Sequence, residues 1–475
     1  MKNLSEILVK VRRRLSLSPG VVSDEQGRSR DRGRRVAFAF FASLGARVVT
    51  VLTVFVAVPL MVNHLGEERY GVWLTLNSFL AYLAFADLGL GNGLLNAVSE
   101  AHAHDDRVLA RRYISSAFFM LLGLAAAVGL LAALVFPWVP WSAVFATRSK
   151  LATSEAGPAT LLFLVLFLVQ VPLSIVQRVN LAYQEGYMNG MFQAAGSLLG
   201  LGGVFLSVTL GADLMSIVFA LTGAPLLAMA ANWLNLFLCS HRDISPVPRF
   251  VNFIAVKRLM RLGGLFFGLQ IAVAFAFSSD YIVAAQILGP EAATQLGIPS
   301  QMFSLVLSIL SMFFMPLWPA YAESIVRGDH TWIRIWLLRS IKIGLIFVGP
   351  VMVLMVLLGE NLLRWWIGEE VHTSLALLSG LATWTFLATI GNAISMLLNA
   401  ANVIRFQLVV SIAMAMTAIT LKILLALRFG IEGIVWGTVL AYGLVSLGPA
   451  LWYVRSVLPR RLEQSANRAI VDELL

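Results

Sequence analysis

Long apolar runs dominate the chain, broken at intervals by charge or by clusters of glycine, proline and asparagine. A helix needs about 20 mostly apolar residues to cross the hydrocarbon of a bilayer. Twelve segments qualify: 36–62, 71–98, 113–136, 158–182, 190–210, 214–238, 259–288, 295–319, 335–359, 372–400, 404–427 and 431–455. The runs are continuous, unlike the ten-residue alternating segments of a membrane barrel, so they predict helices. The expected fold is all-α, a polytopic membrane protein of twelve transmembrane helices.

The polar punctuation repeats. Leu65-Gly66-Glu67-Glu68 and Leu288-Gly289-Pro290-Glu291 stand 223 positions apart. Asn180-Leu181-Ala182 and Asn399-Ala400-Ala401 stand 219 apart, as do Gly211-Ala212-Asp213 and Gly430-Ile431-Glu432. Three short matches at nearly one spacing predict two pseudo-repeated six-helix bundles of the same orientation around a central cavity, a transporter plan with substrate bound between the halves. The expected organisation is a basic cytoplasmic tail over 1–35, a bundle over 36–238, a cytoplasmic linker over 239–258, a second bundle over 259–455 and a cytoplasmic tail over 456–475.

Composition then removes whole classes. Hydrophobic residues make up 59% of the 475 and charged residues 13%, whereas soluble domains carry about 25% charge. A soluble enzyme, a disordered chain and a secreted scaffold all drop out. The lone Cys239 cannot form an intrachain disulfide.

The net charge of +10 reads as membrane orientation and not as nucleic-acid binding. With twelve spans both termini share a side. Placing them in the cytoplasm puts 27 of the 35 basic residues there and five opposite, leaving Arg47, Arg178 and Lys422 inside spans. Basic residues collect in cytoplasmic loops, so both termini are expected to be cytoplasmic. The first apolar run starts too late for a cleaved secretory signal. In the tail, Leu4, Ile7, Leu8, Val11 and Leu15 follow helical spacing among Lys2, Lys10 and Arg12 to Arg14. That pattern suits either a helix on an anionic leaflet or a basic tail that fixes topology.

Catalytic motifs are missing. No Gly-Lys dipeptide exists, so the phosphate-binding loop GxxxxGK[ST] is excluded, and no HExxH, CxxC or GxSxG occurs. His102-Ala103-His104-Asp105-Asp106 resembles a metal cluster only in composition, because residues two apart point to different helix faces. Neither metal nor cofactor is expected, and no enzymatic activity. A membrane transferase or assembly scaffold would need a carboxylate or histidine cluster facing water, and none stands out. Gly89-Leu90-Gly91-Asn92-Gly93 follows no strand, so it is read as a site of close packing or a break in the second span.

Ionisable groups at membrane depth are costly and therefore informative. Arg47 falls near the middle of the first span, with Ser43 and Thr50 on its face at i, i+4, i+7. It is beyond easy snorkelling reach of either end. It should face water, an anionic ligand or a carboxylate, and its guanidinium can fork onto phosphate oxygens. Asp87 and Asp280 are the candidate charge partners or ion-coupling groups. Asn92 and Asn96 follow Asp87 as candidate cavity residues. Arg178 and Lys422 are weaker candidates, since both are close enough to span ends to snorkel.

The segments His64-Leu65-Gly66-Glu67-Glu68-Arg69-Tyr70-Gly71-Val72-Trp73, Ala86-Asp87-Leu88-Gly89-Leu90-Gly91-Asn92-Gly93-Leu94 and Ala110-Arg111-Arg112-Tyr113-Ile114-Ser115-Ser116 resemble the first three spans of bacterial polysaccharide flippases. These are the O-antigen-type members of the multidrug/oligosaccharidyl-lipid/polysaccharide exporter superfamily. The resemblance implies two six-helix lobes around a cavity and translocation of a polyprenyl-diphosphate-linked oligosaccharide across the bacterial inner membrane. The unit would serve O-antigen, capsule or exopolysaccharide, and transport would proceed by ion-coupled alternating access. It also implies membrane lipids, a glycan polymerase and other assembly-pathway proteins as partners. The competing expectation within the superfamily is a cation-coupled multidrug exporter, which predicts cavity carboxylates in place of basic groups.

Overall fold

The computed structural model describes residues 25–79, 87–145, 147, 149–367 and 373–460. The amphipathic pattern at Leu4 to Leu15 lies outside them. Among the described residues there is no strand, and eleven helices are long and apolar enough to cross a membrane.

The helices of the N-terminal half are α1 (Glu25–Phe79), α2 (Leu90–Ala103), which is too short to be one of the eleven, α3 (Arg107–Val135), α4 (Lys150–Leu173) with its short continuation α5 (Ile175–Ala182), α6 (Gly186–Thr209), and α7 (Leu214–Val218) leading through a π turn into α8 (Ala224–Leu234). The C-terminal half has α9 (Phe253–Leu288), α10 (Pro290–Phe314) with α11 (Leu317–Val326), α12 (His330–Ile367), α13 (Leu375–Ala400), α14 (Ile404–Phe429), and α15 (Ile431–Ala441) leading through a π turn into α16 (Gly448–Trp452).

The difference between eleven and twelve lies in the second span. Helix α1 bends at Gly66, where the backbone is non-helical, and continues to Phe79. The chain then turns at Asp87–Gly89 before α2 begins. Leu88 and Gly89 both have positive φ, 49° and 74°. Asp87 holds this break: its Oδ1 accepts from the Gly89 N–H at 2.9 Å and its Oδ2 from the Gly91 N–H at 3.1 Å. A carboxylate thus satisfies the N–H groups that a helix start leaves orphaned. The expected continuous span 71–98 is therefore two helical pieces.

The repeat is written into the backbone. Positive φ recurs in pairs at Gly66 and Gly289, Asp105 and Gly328, Gln184 and Asn402, and Gly211 and Gly430. These pairs keep the sequence offsets to within a few residues. The π turns also pair, Phe219–Gly223 with Tyr442–Leu447 and Asn235–Ser240 with Tyr453–Val457. In each half the first helix packs extensively on the fifth, α1 on α6 and α9 on α14, and the sixth packs on the fifth. One fold is used twice.

The halves meet through α2 against α9 and α11, α3 against α9, and α1 against α10. Small residues permit the closest approach. A Cβ on Gly89 would stand 2.3 Å from the Gly263 carbonyl oxygen, and one on Gly263 would stand 2.9 Å from Leu90. Backbones this close gain van der Waals contact that bulkier residues would forbid. One apolar core, from Leu94 through Leu259 to Trp318, runs across both halves, while Ala57, Met61, Leu76, Phe163 and Leu214 form a separate core inside the N-terminal half.

Candidate functional site

The polar contacts joining the halves gather at one end of the helices. Asn96 on α2 is 3% exposed. Its amide donates to the Asn399 carbonyl at 2.8 Å and to Asn402 Oδ1 at 3.0 Å, and its own oxygen accepts from the Trp318 indole N–H. Gln407 donates to Asn399 Oδ1 at 2.9 Å, backing the same network. Around it, Gln184 donates to Glu323 and Arg258 reaches both Glu100 and the Tyr113 hydroxyl. The Val247 and Asn252 N–H groups bond Ser115 and Ser116 at 3.1 and 3.2 Å, so the linker is fastened to α3 as well. These residues sit beside the loops at 104–106, 183–185, 241–252, 327–329 and 401–403. We call this the latched end.

At the opposite end the polar contacts among the described residues stay within each half. His64 bonds the Ala212 carbonyl at 2.7 Å, Arg69 pairs with Glu155 at 3.2 Å, and Ser374 donates to Glu432 at 2.6 Å. Among the described residues, the polar contacts between the halves are therefore confined to the latched end.

Arg47 lies beyond the last of these contacts along α1. Phe40 meets Phe313 of α10 with ring centroids 5.8 Å apart. Arg47 follows seven residues later on the same helical face, about 10 Å farther from the latched end. Its side chain is exposed. Among the described residues no carboxylate pairs with it. Thr50 turns toward α6, with its hydroxyl 3.0 Å from Ser197 Oγ and 3.0 Å from the Ala46 carbonyl. Ser43 lies where α1 and α6 approach closely, a Cβ on Gly190 standing 3.4 Å from its backbone nitrogen. So α6 fixes this wall of α1 and leaves the guanidinium free.

Both candidate partners for Arg47 are engaged elsewhere, a correction to the expectation from sequence. Asp87 caps α2 and flanks Gly91 together with Arg178: a Cβ there would come 2.5 Å from Asp87 Oδ2 and 2.9 Å from Arg178 Nε. Asp280 forms an ion pair with Lys422, whose side chain is 0% exposed. Lys422 and Arg178 thus turn inward to carboxylates and do not snorkel. Asn96, expected in the cavity, is instead the centre of the latch, with Asn92 half-buried one turn before it.

The candidate residues fall into three places: the α1 wall (Ser43, Arg47, Thr50), the seam (Asp87, Asn92, Asn96, Arg178) and a junction inside the C-terminal half (Asp280, Lys422). Trp318, Asn402 and Glu323 were not foreseen. Their only signal in the sequence is polarity at the ends of apolar runs, which loops share. Outside the spans, Arg107 pairs with Asp243 of the linker at 2.7 Å. Burial pushes the Asp243 carboxyl up, but the hydrogen bond and charge of Arg107, its own backbone N–H and His241 outweigh that and hold it below its ordinary value.

Comparison with known proteins agrees with this architecture. The chain is 26% identical over 423 residues to a protein of Salmonella typhi described as an O-antigen transporter, covering 86% of this chain and 94% of that one. It is 22% identical over 289 residues to a protein of Yersinia pseudotuberculosis described as an O-antigen export protein, covering 59% and 63%. Among solved structures it is similar to a multidrug resistance MATE family transporter of the MOP superfamily in an outward-facing conformation, with TM-score 0.76, 14% identity and coverage of 92% and 97%. It is also similar to a MOP superfamily transporter from Pyrococcus furiosus, with TM-score 0.73, 13% identity and coverage of 92% and 96%. Those structures establish the shared fold. Residues 39–324 match the polysaccharide biosynthesis protein family, and the chain belongs to that family of multi-pass membrane transporters.

Proposed function

We propose that the protein flips a polyprenyl-diphosphate-linked oligosaccharide across the bacterial inner membrane by alternating access driven by an ion gradient. The observation that carries this reading is Arg47, exposed at mid-span with no ion-pair partner among the described residues, on the wall of the cleft that we place between the halves. A guanidinium at membrane depth is costly unless something anionic or aqueous meets it. A diphosphate offers oxygens in the geometry a guanidinium forks onto. Ser43 and Thr50 would line the same wall and Asn92 would join them when the seam opens, while the lipid tail stays in the bilayer and the sugar fills the gap between halves.

The 27 basic residues that the sequence assigns to the two tails and to the loops beside the latch support assigning that end and both termini to the cytoplasm. The cleft then faces outward. The units 36–238 and 259–455 would rock about the linker at 239–258, breaking the Asn96 latch to admit cargo from the cytoplasmic leaflet. Glycan polymerases and other assembly proteins would act on the released unit.

The experiment is Arg47→Ala in a flippase-null strain, following lipid-linked glycan that reaches the outer leaflet. Loss of rescue at normal protein level is expected. Full rescue removes Arg47 from the mechanism. The alternative, a cation-coupled multidrug exporter, has the fold in its favour but predicts cavity carboxylates that dominate over basic groups. Resistance to cationic dyes on expression would favour it.

A further inference from the structure

The junction of first, fifth and sixth helices occurs once in each half, with opposite chemistry. In the N-terminal half Ala57 is 1% exposed, and Gly203 lies so close to the π turn between α7 and α8 that a Cβ on it would stand 2.8 Å from Ala220 Cβ. The repeat offsets carry Ala57 onto Asp280 and Gly203 onto Lys422. There α9, α14 and α15 enclose a charged pair. The Lys422 ammonium donates to the Ala276 carbonyl, to Ser279 Oγ at 3.0 Å and to Asp280, which also accepts from the Thr438 hydroxyl at 3.3 Å. Gly437 lets α15 reach this depth, since a Cβ on it would stand 2.9 Å from the Lys422 nitrogen.

The apolar version shows that the fold can close this junction without charge. Two ions taken from water rarely add stability over well-packed apolar residues. Their presence in one half alone therefore asks for a role. Lys422 is wholly buried, but the Asp280 side chain is 24% exposed. It lies on the same face of α9 as Val273 and Phe277, at i, i+4, i+7. Those two residues line a cavity of about 260 Å³ inside the C-terminal half, together with Asn392, Ser395, Asn399 and Gln407. The cavity is polar enough and large enough for several waters. At its far side stands Asn399, whose carbonyl accepts the latch hydrogen bond from Asn96.

We infer that the Lys422–Asp280 pair is the proton-binding site that couples ion movement to the opening of the latch, and that the tethered ammonium excludes sodium from it. This rests on the transporter reading above. The carbonyl, hydroxyl and carboxylate oxygens around Nζ are the donor set a sodium ion would need, and the ammonium uses all three of its protons on them. A proton reaching Asp280 converts the carboxylate to a carboxylic acid, and Lys422 keeps its charge. The ion pair between α9 and α14 is lost, leaving Lys422 only its bonds to the Ala276 carbonyl and Ser279 Oγ, and the hold on the cavity wall carrying Asn399 loosens. Among the described residues, the groups around Asp280 are Lys422 on α14, Thr438 on α15 and the adjacent Tyr281, which turns to Gly297 of α10. Glu432 of α15 is held by Ser374, and the Tyr442 hydroxyl lies against Gly391 of α13.

The test needs no glycan, so its failure is separate from failure of the cargo assignment. Spin labels at Leu210→Cys and Leu427→Cys, in a Cys239→Ser chain in nanodiscs, report the separation of the halves at the open end. The distances should shift between two populations from about pH 8 to about pH 5. Lys422→Met should move the midpoint up by at least about one pH unit, because an unpaired buried carboxylate protonates more readily. Asp280→Asn should abolish the response. Asp280→Ala with Lys422→Gly copies the N-terminal junction, so it should fold even if the single variants do not, and should be insensitive to pH. Exchanging potassium for sodium at constant pH should change nothing. Equal titration of the parent and the double variant, no response of the parent to pH, or a shift on adding sodium would each overturn the proposal.

Discussion

The seam, built on α2, and the cleft wall, built on α1, treat polar groups in opposite ways. At the seam every oxygen and donor of Asn96 is occupied from the other half. In the cleft the strongest polar group, Arg47, has no ion partner among the described residues. A buried polar network with its partners in place acts as a catch, because each group left unpaired costs about 1–3 kcal/mol. An unpaired cation in an open groove is a place for something to arrive. The difference separates residues that set conformation from those that meet cargo.

The largest effect is expected at Gly89, where the seam depends on backbone contact. Gly89→Val would put a Cβ into the Gly263 carbonyl oxygen and Phe267 nitrogen at a φ of 74°. Overpacking together with left-handed strain should cost about 3–5 kcal/mol, read as a lower unfolding temperature in detergent. An unchanged melting temperature would mean that α2 and α9 are not so close. Next comes the cleft: Arg47→Ala should slow glycan translocation roughly 10–100-fold, the worth of one charge-assisted contact, with little change in stability. Arg47→Lys should recover part of the loss, since it keeps charge but not the fork.

Asn96→Leu should shift the resting state toward an opened seam by about 1–2 kcal/mol, since three bonds are lost and membrane hydrogen bonds are individually modest. Labelling of Ala401→Cys in a Cys239→Ser chain by an impermeant maleimide should speed up accordingly. If the rate stays the same, the latch is decoration. The smallest effect concerns the linker. Asp243 is held below its ordinary pKa, so its contribution is complete above that ordinary value and fades as pH falls through the folded value. Proteolysis within 240–253 should therefore rise only below about pH 4, and Asp243→Asn should remove that dependence.

Much of this was legible in the chain. Hydropathy gave the spans because each helix must bury or shield about 20 apolar residues, and the glycine-marked hairpins gave the repeat because φ > 0 demands the same residue types twice. The break at Asp87–Gly89 was only half visible, since apolar side chains continue across it and hide a backbone that turns. The pairings were not visible. Asp280 and Lys422 are 142 positions apart, and proximity to a span end suggested snorkelling because sequence alone does not show which face of α14 meets α9. Asn96 was read as a cavity residue for its polarity. Whether a polar residue faces a groove or its mirror half depends on how the lobes are docked.

Arg47 is proposed to handle an anionic lipid-linked cargo. The most direct measurement is flipping of a fluorescent polyprenyl-diphosphate oligosaccharide by the purified protein in sealed vesicles under an imposed pH gradient, comparing Arg47→Ala with the Asp280→Ala/Lys422→Gly chain. The first should lose translocation while its halves still move with pH, and the second should still equilibrate cargo but gain nothing from the gradient. Normal flipping by Arg47→Ala would contradict this role.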